Sequence, residues 1–224
     1  MTLVLVVLAK NSRSAMAKIS SRFFAFEGID GCGKSTQIES LQKRLEEQGH
    51  TVVRIREPGG TSLSEDIRNL LLTPREEKVD DIAELFLFNA ARAQLLNEVV
   101  RPALEAGHVV LADRFAWSTM AYQAYGRGIE KNLVKSILDI AVGDLWPSKT
   151  IYLDLDLQES RRRLAEGREA MDRMELEKED FFAKVLQGYR DMALQYPQMI
   201  TTYNASDSID ELAKSIGNEV LNLL

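Results

Sequence analysis

Gly28-Ile29-Asp30-Gly31-Cys32-Gly33-Lys34-Ser35 satisfies the spacing G-x-x-x-x-G-K-S/T, with Thr36 following. Glycines at these positions let main-chain N–H groups turn inward around phosphate oxygens, and a helix opening near Lys34 adds partial positive charge. A lysine at position 34 reaches the outer phosphates, and the Ser35 hydroxyl is suited to Mg²⁺. These residue types in this order point to the phosphates of a nucleoside triphosphate. The alternative is a glycine-rich turn with a solvated lysine. Cys32 is read as a small packing residue, with a reactive thiol at a helix start as the alternative. A second element supports the first: His108–Asp113 (HVVLAD) is an apolar run ending in a carboxylate. Asp113 there is a candidate indirect partner of a magnesium ion. Arg114, next along, points toward the same crevice unless it serves a surface ion pair.

Elements must hold these residues together, and their pattern is legible. Arg22–Glu27, Thr51–Arg56, His108–Asp113, Thr150–Asp154 and Met199–Tyr203 read as strands. Between them lie helical stretches: Ile38, Leu41 and Leu45 at helical spacing with Gly49 as a stop, a run ending at Leu72 before Pro74, Val79–Ala106 as a long helix or bent pair, Ile129–Val142, and an amphipathic tail from Ile209 to Leu224. Strands separated by helices of this length give βαβ units and a parallel, doubly wound sheet. The fold class is therefore α/β: a P-loop NTPase fold, a five-stranded parallel sheet flanked by helices. Ligands bind such sheets at the carboxyl ends of the strands, where residues 28–35, 57–61 and 113–114 fall.

The 224 residues are 45% apolar and 28% charged, enough for one real core, which excludes a disordered chain. With 34 acidic against 28 basic residues, a net charge of −6 argues against a nucleic-acid binder or a binder of anionic membranes. One cysteine excludes an intramolecular disulfide and suits the reducing cytoplasm, while two histidines leave little for histidine metal sites. No stretch reaches the roughly 18–20 apolar residues of a membrane helix. Leu3–Ala9 is too short to span and a poor signal peptide, so residues 1–18 are read as a non-essential extension, an extra edge strand being the alternative. Residues 19–224 form the domain.

A triphosphate site does not say what is done with the nucleotide. No N-K-x-D segment is present for reading guanine, and motor ATPases are usually longer; a small-molecule kinase fits. Here the chain resembles the bacterial thymidylate kinase (dTMP kinase) family from about Arg22 onward. The resemblance rests on F-E-G-I-D-G-C-G-K-S-T at 26–36, R-E-P-G-G-T at 56–61, L-F-N-A-A-R-A-Q at 87–94, D-R-F at 113–115, S-T-M-A-Y-Q at 118–123, G-R-G at 126–128 and D-R-M-E at 172–175. It implies transfer of the ATP γ-phosphoryl group to dTMP with Mg²⁺, and a cytoplasmic homodimer.

By resemblance, Phe88 stacks on the thymine ring and Arg92, on the same helix face, meets its polar edge. Arg114 holds the acceptor 5′-phosphate; Thr119 and Gln123 contact the thymine edge; Tyr122 packs against the deoxyribose. Asp30 and Glu57 line the acceptor sugar and phosphate. The stretch from about 161 to 175 is similar to the family's lid, which supplies a catalytic arginine when the cradle holds none, as here. Arg168 is favoured over Arg173, whose position beside Asp172 offers a local tie. Two residues depart from the family pattern, Phe115 after Asp-Arg and the bulky Trp117, and both bear on the acceptor pocket. The rival readings are a P-loop kinase for another nucleotide or nucleoside, and a nucleotide-binding protein without chemistry.

Overall fold

Five short strands carry the apolar runs: β1 (Phe23–Glu27), β2 (Val52–Arg56), β3 (Val109–Asp113), β4 (Lys149–Asp154) and β5 (Ile200–Asn204). They form one parallel sheet in the order β2-β3-β1-β4-β5. The computed structural model describes residues 21–167 and 172–224; the N-terminal extension lies outside them, as does Arg168. β1 is buried on both faces, as a central parallel strand must be. Its side chains alternate, so Phe23 and Ala25 join Val110 and Ala112 of β3 in one core, while Phe24 and Phe26 join Val109, Leu111, Ile151 and Leu153 in the other.

The second of these cores is closed by α1 (Lys34–Glu47), through Ile38, Leu41 and Leu45, and by the C-terminal helix through Leu212, Ile216 and Val220. The opposite face is covered by α3 (Asp81–Leu95), which follows α2 (Ser62–Leu72). A third cluster under Tyr152 contains Ile29, Tyr122, Phe181 and Tyr189.

Of the two readings of Val79–Ala106, the long helix holds: it runs without interruption over 81–105, with one wide turn inside it. A π turn, Leu96–Val100, joins α3 to α4 (Arg101–Glu105) without a break. Pro102 explains it: proline gives no N–H to the ladder and its ring crowds the carbonyl four residues back, so a wider turn there relieves both. A second π segment, Met120–Gly126, follows α5 (Ala116–Thr119), and its wide turn is closed by Arg127 N–H donating to the Tyr122 carbonyl at 2.9 Å. Then come α6 (Lys131–Val142), α7 (Leu157–Gly167), α8 (Glu179–Gln195) and α9 (Ile209–Leu223), the last started by a Ser208/Glu211 capping box.

Strand register lines up the functional loops. Phe26 and Arg56 both pair with Asp113, so β1, β2 and β3 end level. Arg114 N–H donates to the Phe26 carbonyl at 2.9 Å and Glu57 N–H to the Asp113 carbonyl at 3.0 Å. The residues that follow the three strands therefore begin side by side.

Candidate active site

The cradle has the backbone its glycines predict. Gly28 and Gly33 have φ of 137° and 95°, in the region that L side chains rarely adopt. At Gly28 space is short as well, since a Cβ would sit 2.6 Å from the Leu153 carbonyl oxygen and 2.8 Å from Cys32 Sγ. Gly28→Ala is accordingly expected to cost about 2–4 kcal/mol in strain and overpacking. Thermal unfolding followed by circular dichroism checks this, and an unchanged midpoint would remove the constraint.

α1 opens at Gly33 with no side-chain cap and no acid in its first turn, leaving its N-terminal N–H groups to an anion. Lys34 Nζ donates to the carbonyls of Gly28 and Ile29, both at 3.1 Å, and lies 3.9 Å from Asp30. The Ser35 hydroxyl donates to Asp113 Oδ2 at 3.2 Å, joining the two sequence elements that pointed to phosphate and metal. Cys32 is buried, and burial pushes its thiol pKa up, consistent with packing.

Arg114 has φ 70°, a left-handed conformation unusual for a side chain of its size. The turn aims its guanidinium back at the cradle: Nη1 donates to the Gly28 carbonyl at 2.9 Å and Nη2 to Asp30 Oδ1 at 2.8 Å. Burial would lower its pKa, but Asp30 and its other neighbours raise it well above the ordinary value. The turn is held by Glu27, fully buried at the end of β1. Its Oε1 accepts from the Phe115 and Ser118 amides, and its Oε2 from the Ser118 and Tyr189 hydroxyls, all within 3.0 Å. Burial pushes the Glu27 carboxyl up against these bonds and Arg114.

Beside the cradle lies a second cavity, lined by Phe88, Arg92, Thr119, Tyr122 and Gln123. The cleft over the cradle has about 470 Å³, within the range of ligand sites. Asp30, Glu57, Arg68 and Arg114 line both, so the two share a charged wall. Arg92 is only 2% exposed. Its Nε and Nη2 contact Glu57 Oε2 at 2.8 and 2.6 Å, Nη1 donates to Asn89 and Thr119, and Nη2 to the Phe115 carbonyl. Its donor fork is thus occupied by protein acceptors, and any contact with a base edge is a shared one. Glu57 Oε1 and the Tyr122 hydroxyl are buried without a partner among the described residues, and both residues line the cavity. Burial raises the Glu57 pKa, opposed by Arg92.

A family model described as thymidylate kinase matches residues 26–216. The chain belongs to the thymidylate kinase family. It is 40% identical over 206 residues to the thymidylate kinase of Exiguobacterium sibiricum, covering 92% of this chain and 97% of that one. It is 45% identical over 199 residues to that of Gloeobacter violaceus, covering 88% and 93%. The solved thymidylate kinase of Ehrlichia chaffeensis superposes with a TM-score of 0.73 at 33% identity, covering 91% of this chain and 99% of that chain.

Against the thymidylate kinase pattern, the two departures are absorbed by the core. Phe115 packs edge-on to Phe23 and Trp117 lies between Trp146 and Tyr196; neither lines the second cavity. Arg173 is engaged, but by Glu84 Oε2 at 2.6 Å and the Leu71 carbonyl; Asp172 instead accepts from the Met174 and Glu175 amides. Sequence reasoning passed over Glu27, Arg68 and Glu84, and also Arg163, which reaches the Gly31 carbonyl at 3.4 Å. Glu27 lay inside the recognised 26–36 motif and Arg68 on the helix after the 56–61 motif, whereas nothing in the sequence marked Glu84.

Proposed function

We propose that the chain phosphorylates dTMP to dTDP with ATP, feeding dTTP to DNA synthesis. The observation that carries this is the charged wall shared by cradle and acceptor cavity, in a chain of this family. An acceptor phosphate oxygen attacks the γ-phosphorus, the bond to the β–γ bridging oxygen breaks, and ADP leaves. The acceptor phosphate is largely dianionic at neutral pH, so no strong general base is required. Catalysis is positioning and charge neutralisation.

Lys34 holds the outer phosphates, the 28–36 backbone cradles them, and Arg114 fixes the acceptor phosphate in line, with Asp30 orienting Arg114. Phe88 stacks on the base, Thr119 and Gln123 read its edge, Arg92 braces that edge through Thr119, Tyr122 packs on the sugar, and Glu57 Oε1 accepts from a polar group of the acceptor. Ser35 and Asp113 offer hard oxygens at one point, which suits Mg²⁺ keeping most of its waters. When bound, the ion offsets the charge of the phosphates.

Arg168 is assigned the lid charge. Support comes from its neighbours' engagements: Arg161 with Glu179, Arg162 with Glu159 and Glu166, and Arg173 with Glu84. Arg168→Ala should lower kcat about a hundredfold or more, and turnover within tenfold of the parent in a coupled ADP assay would refute the role. The same assay, offering dTMP, dUMP, dCMP, AMP and thymidine separately, tests the acceptor: preference for dTMP supports the reading, and another preferred acceptor or ATP binding without transfer overturns it.

A cytoplasmic homodimer completes the reading. Ile82 and Phe86, four apart on α3, are exposed apolar side chains suited to a second copy. No helix among the described residues is long and apolar enough to cross a membrane.

A further inference from the structure

Glu84, on the first turn of α3, is wholly buried, and both its oxygens are engaged. Gln123 Nε2 donates to Oε1 at 2.8 Å, Arg127 to both oxygens at 3.1 and 3.0 Å, and Arg173 to Oε2 at 2.6 Å. Burial alone would raise its pKa, but the hydrogen bonds and charge of Arg127 carry it below the ordinary value. An ionised carboxylate only accepts hydrogen bonds.

The Gln123 amide must therefore give its NH₂ to Glu84, and this settles which way the amide is turned. Its Oε1 is left over, and no donor among the described residues reaches it. Gln123 lines the cavity with Phe88 and Thr119. Thr119 is arranged in the opposite sense: its Oγ1 accepts from Arg92 at 3.0 Å, which leaves the hydroxyl hydrogen for an acceptor.

We infer that Glu84 is a positioning residue that sets the hydrogen-bond polarity of the acceptor cavity, holding Gln123 with its oxygen inward so that a base with N–H at N3 is taken over one with a bare N3. Thymine and uracil carry that hydrogen; cytosine does not. The inference rests on the reading of this cavity as the base site. A pocket that leaves a buried acceptor unmatched discriminates against the wrong partner, because the group loses its bond to water without replacement.

The test compares kcat/KM for dTMP and dCMP in the parent, Glu84→Gln and Gln123→Ala. Glu84→Gln keeps the size but supplies an amide that can donate as well as accept, so Gln123 is free to turn. The dTMP-to-dCMP ratio is expected to fall about tenfold or more in Glu84→Gln, chiefly through KM for dTMP. Equal losses for both acceptors in folded Glu84→Gln, the mark of a merely structural role, would overturn the inference. An unchanged ratio in Gln123→Ala would instead sink the assignment of the base site. A fall there without one in Glu84→Gln overturns the role of Glu84 alone. If circular dichroism shows Glu84→Gln unfolded, Glu84→Asp decides. Its shorter carboxylate still only accepts, so a retained ratio supports the role of Glu84 and a lost ratio overturns it.

Discussion

Lys34→Ala should lower kcat for phosphoryl transfer about a hundredfold or more while the chain stays folded. The ammonium stands at the centre of the cradle, between the Gly28 and Ile29 carbonyls. Negative charge accumulates there as the γ-phosphoryl group moves, and a preorganised cation costs no solvent reorganisation at that moment. No other described lysine contacts the loop. Arg114 shares the Gly28 carbonyl and Asp30 with Lys34, but in the proposed mechanism its guanidinium is committed to the acceptor phosphate, so it does not replace the ammonium. The fold loses one donor to two carbonyls, about 1–2 kcal/mol. Steady-state assays with Mg·ATP and dTMP, beside an unfolding curve, separate the two effects. Turnover within tenfold of the parent would refute the assignment, as would a loss of activity explained wholly by unfolding.

Arg92→Met has the largest expected effect on stability. The guanidinium is buried with Glu57, and it also serves Asn89, Thr119 and the Phe115 carbonyl. Removing it leaves a buried carboxylate without its counter-charge, which costs about 3–5 kcal/mol, or roughly 6–20 °C in Tm for a chain of this size. The sign of the pH dependence follows. Burial already raises the Glu57 pKa against Arg92; without Arg92 it rises further, and the variant takes up a proton that the parent does not. Its deficit should therefore shrink as pH is lowered from about 8 to about 5, and be greatest at the upper end. Urea unfolding at both pH values measures this. A deficit below about 1 kcal/mol, or one that grows on acidification, would show that the ion pair does not organise the acceptor wall.

Much of this architecture was legible because it rests on local rules. Each strand is a short run rich in β-branched or aromatic residues between turn signals, and the cradle needs glycine where φ is positive, so composition and placement coincide. The cradle-side residues likewise fell in one stretch of chain each. Elements that depend on distant partners were not legible. Glu84 sits where an acid complements the helix dipole, and in sequence it resembles its half-buried neighbour Asp81; only the fold brings Arg127 and Arg173 to it. The same holds for Arg173, whose partner Glu84 comes from α3 and does not lie next to it in the chain. Phe115 and Trp117 looked like changes to the acceptor pocket, yet the left-handed turn at Arg114 sends both into the core. The first π turn had a visible cause in Pro102, but nothing in M-A-Y-Q-A-Y-G announces the second.

That second wide turn makes chain length itself a determinant of function. A residue in an α-helix advances about 100° around the axis, and the 120–126 segment holds one residue more per turn than such a helix accommodates. Deleting a single residue there would restore ordinary winding and swing everything downstream around the axis. Gly126 would leave the ring of Phe181, which allows no side chain at that point, and Arg127 would turn away from Glu84. Substitutions in this stretch alter one contact at a time, whereas a one-residue gap would misalign the whole acceptor wall. Among homologous sequences, the distance from Thr119 to Arg127 should therefore vary less than the identities of the residues between them.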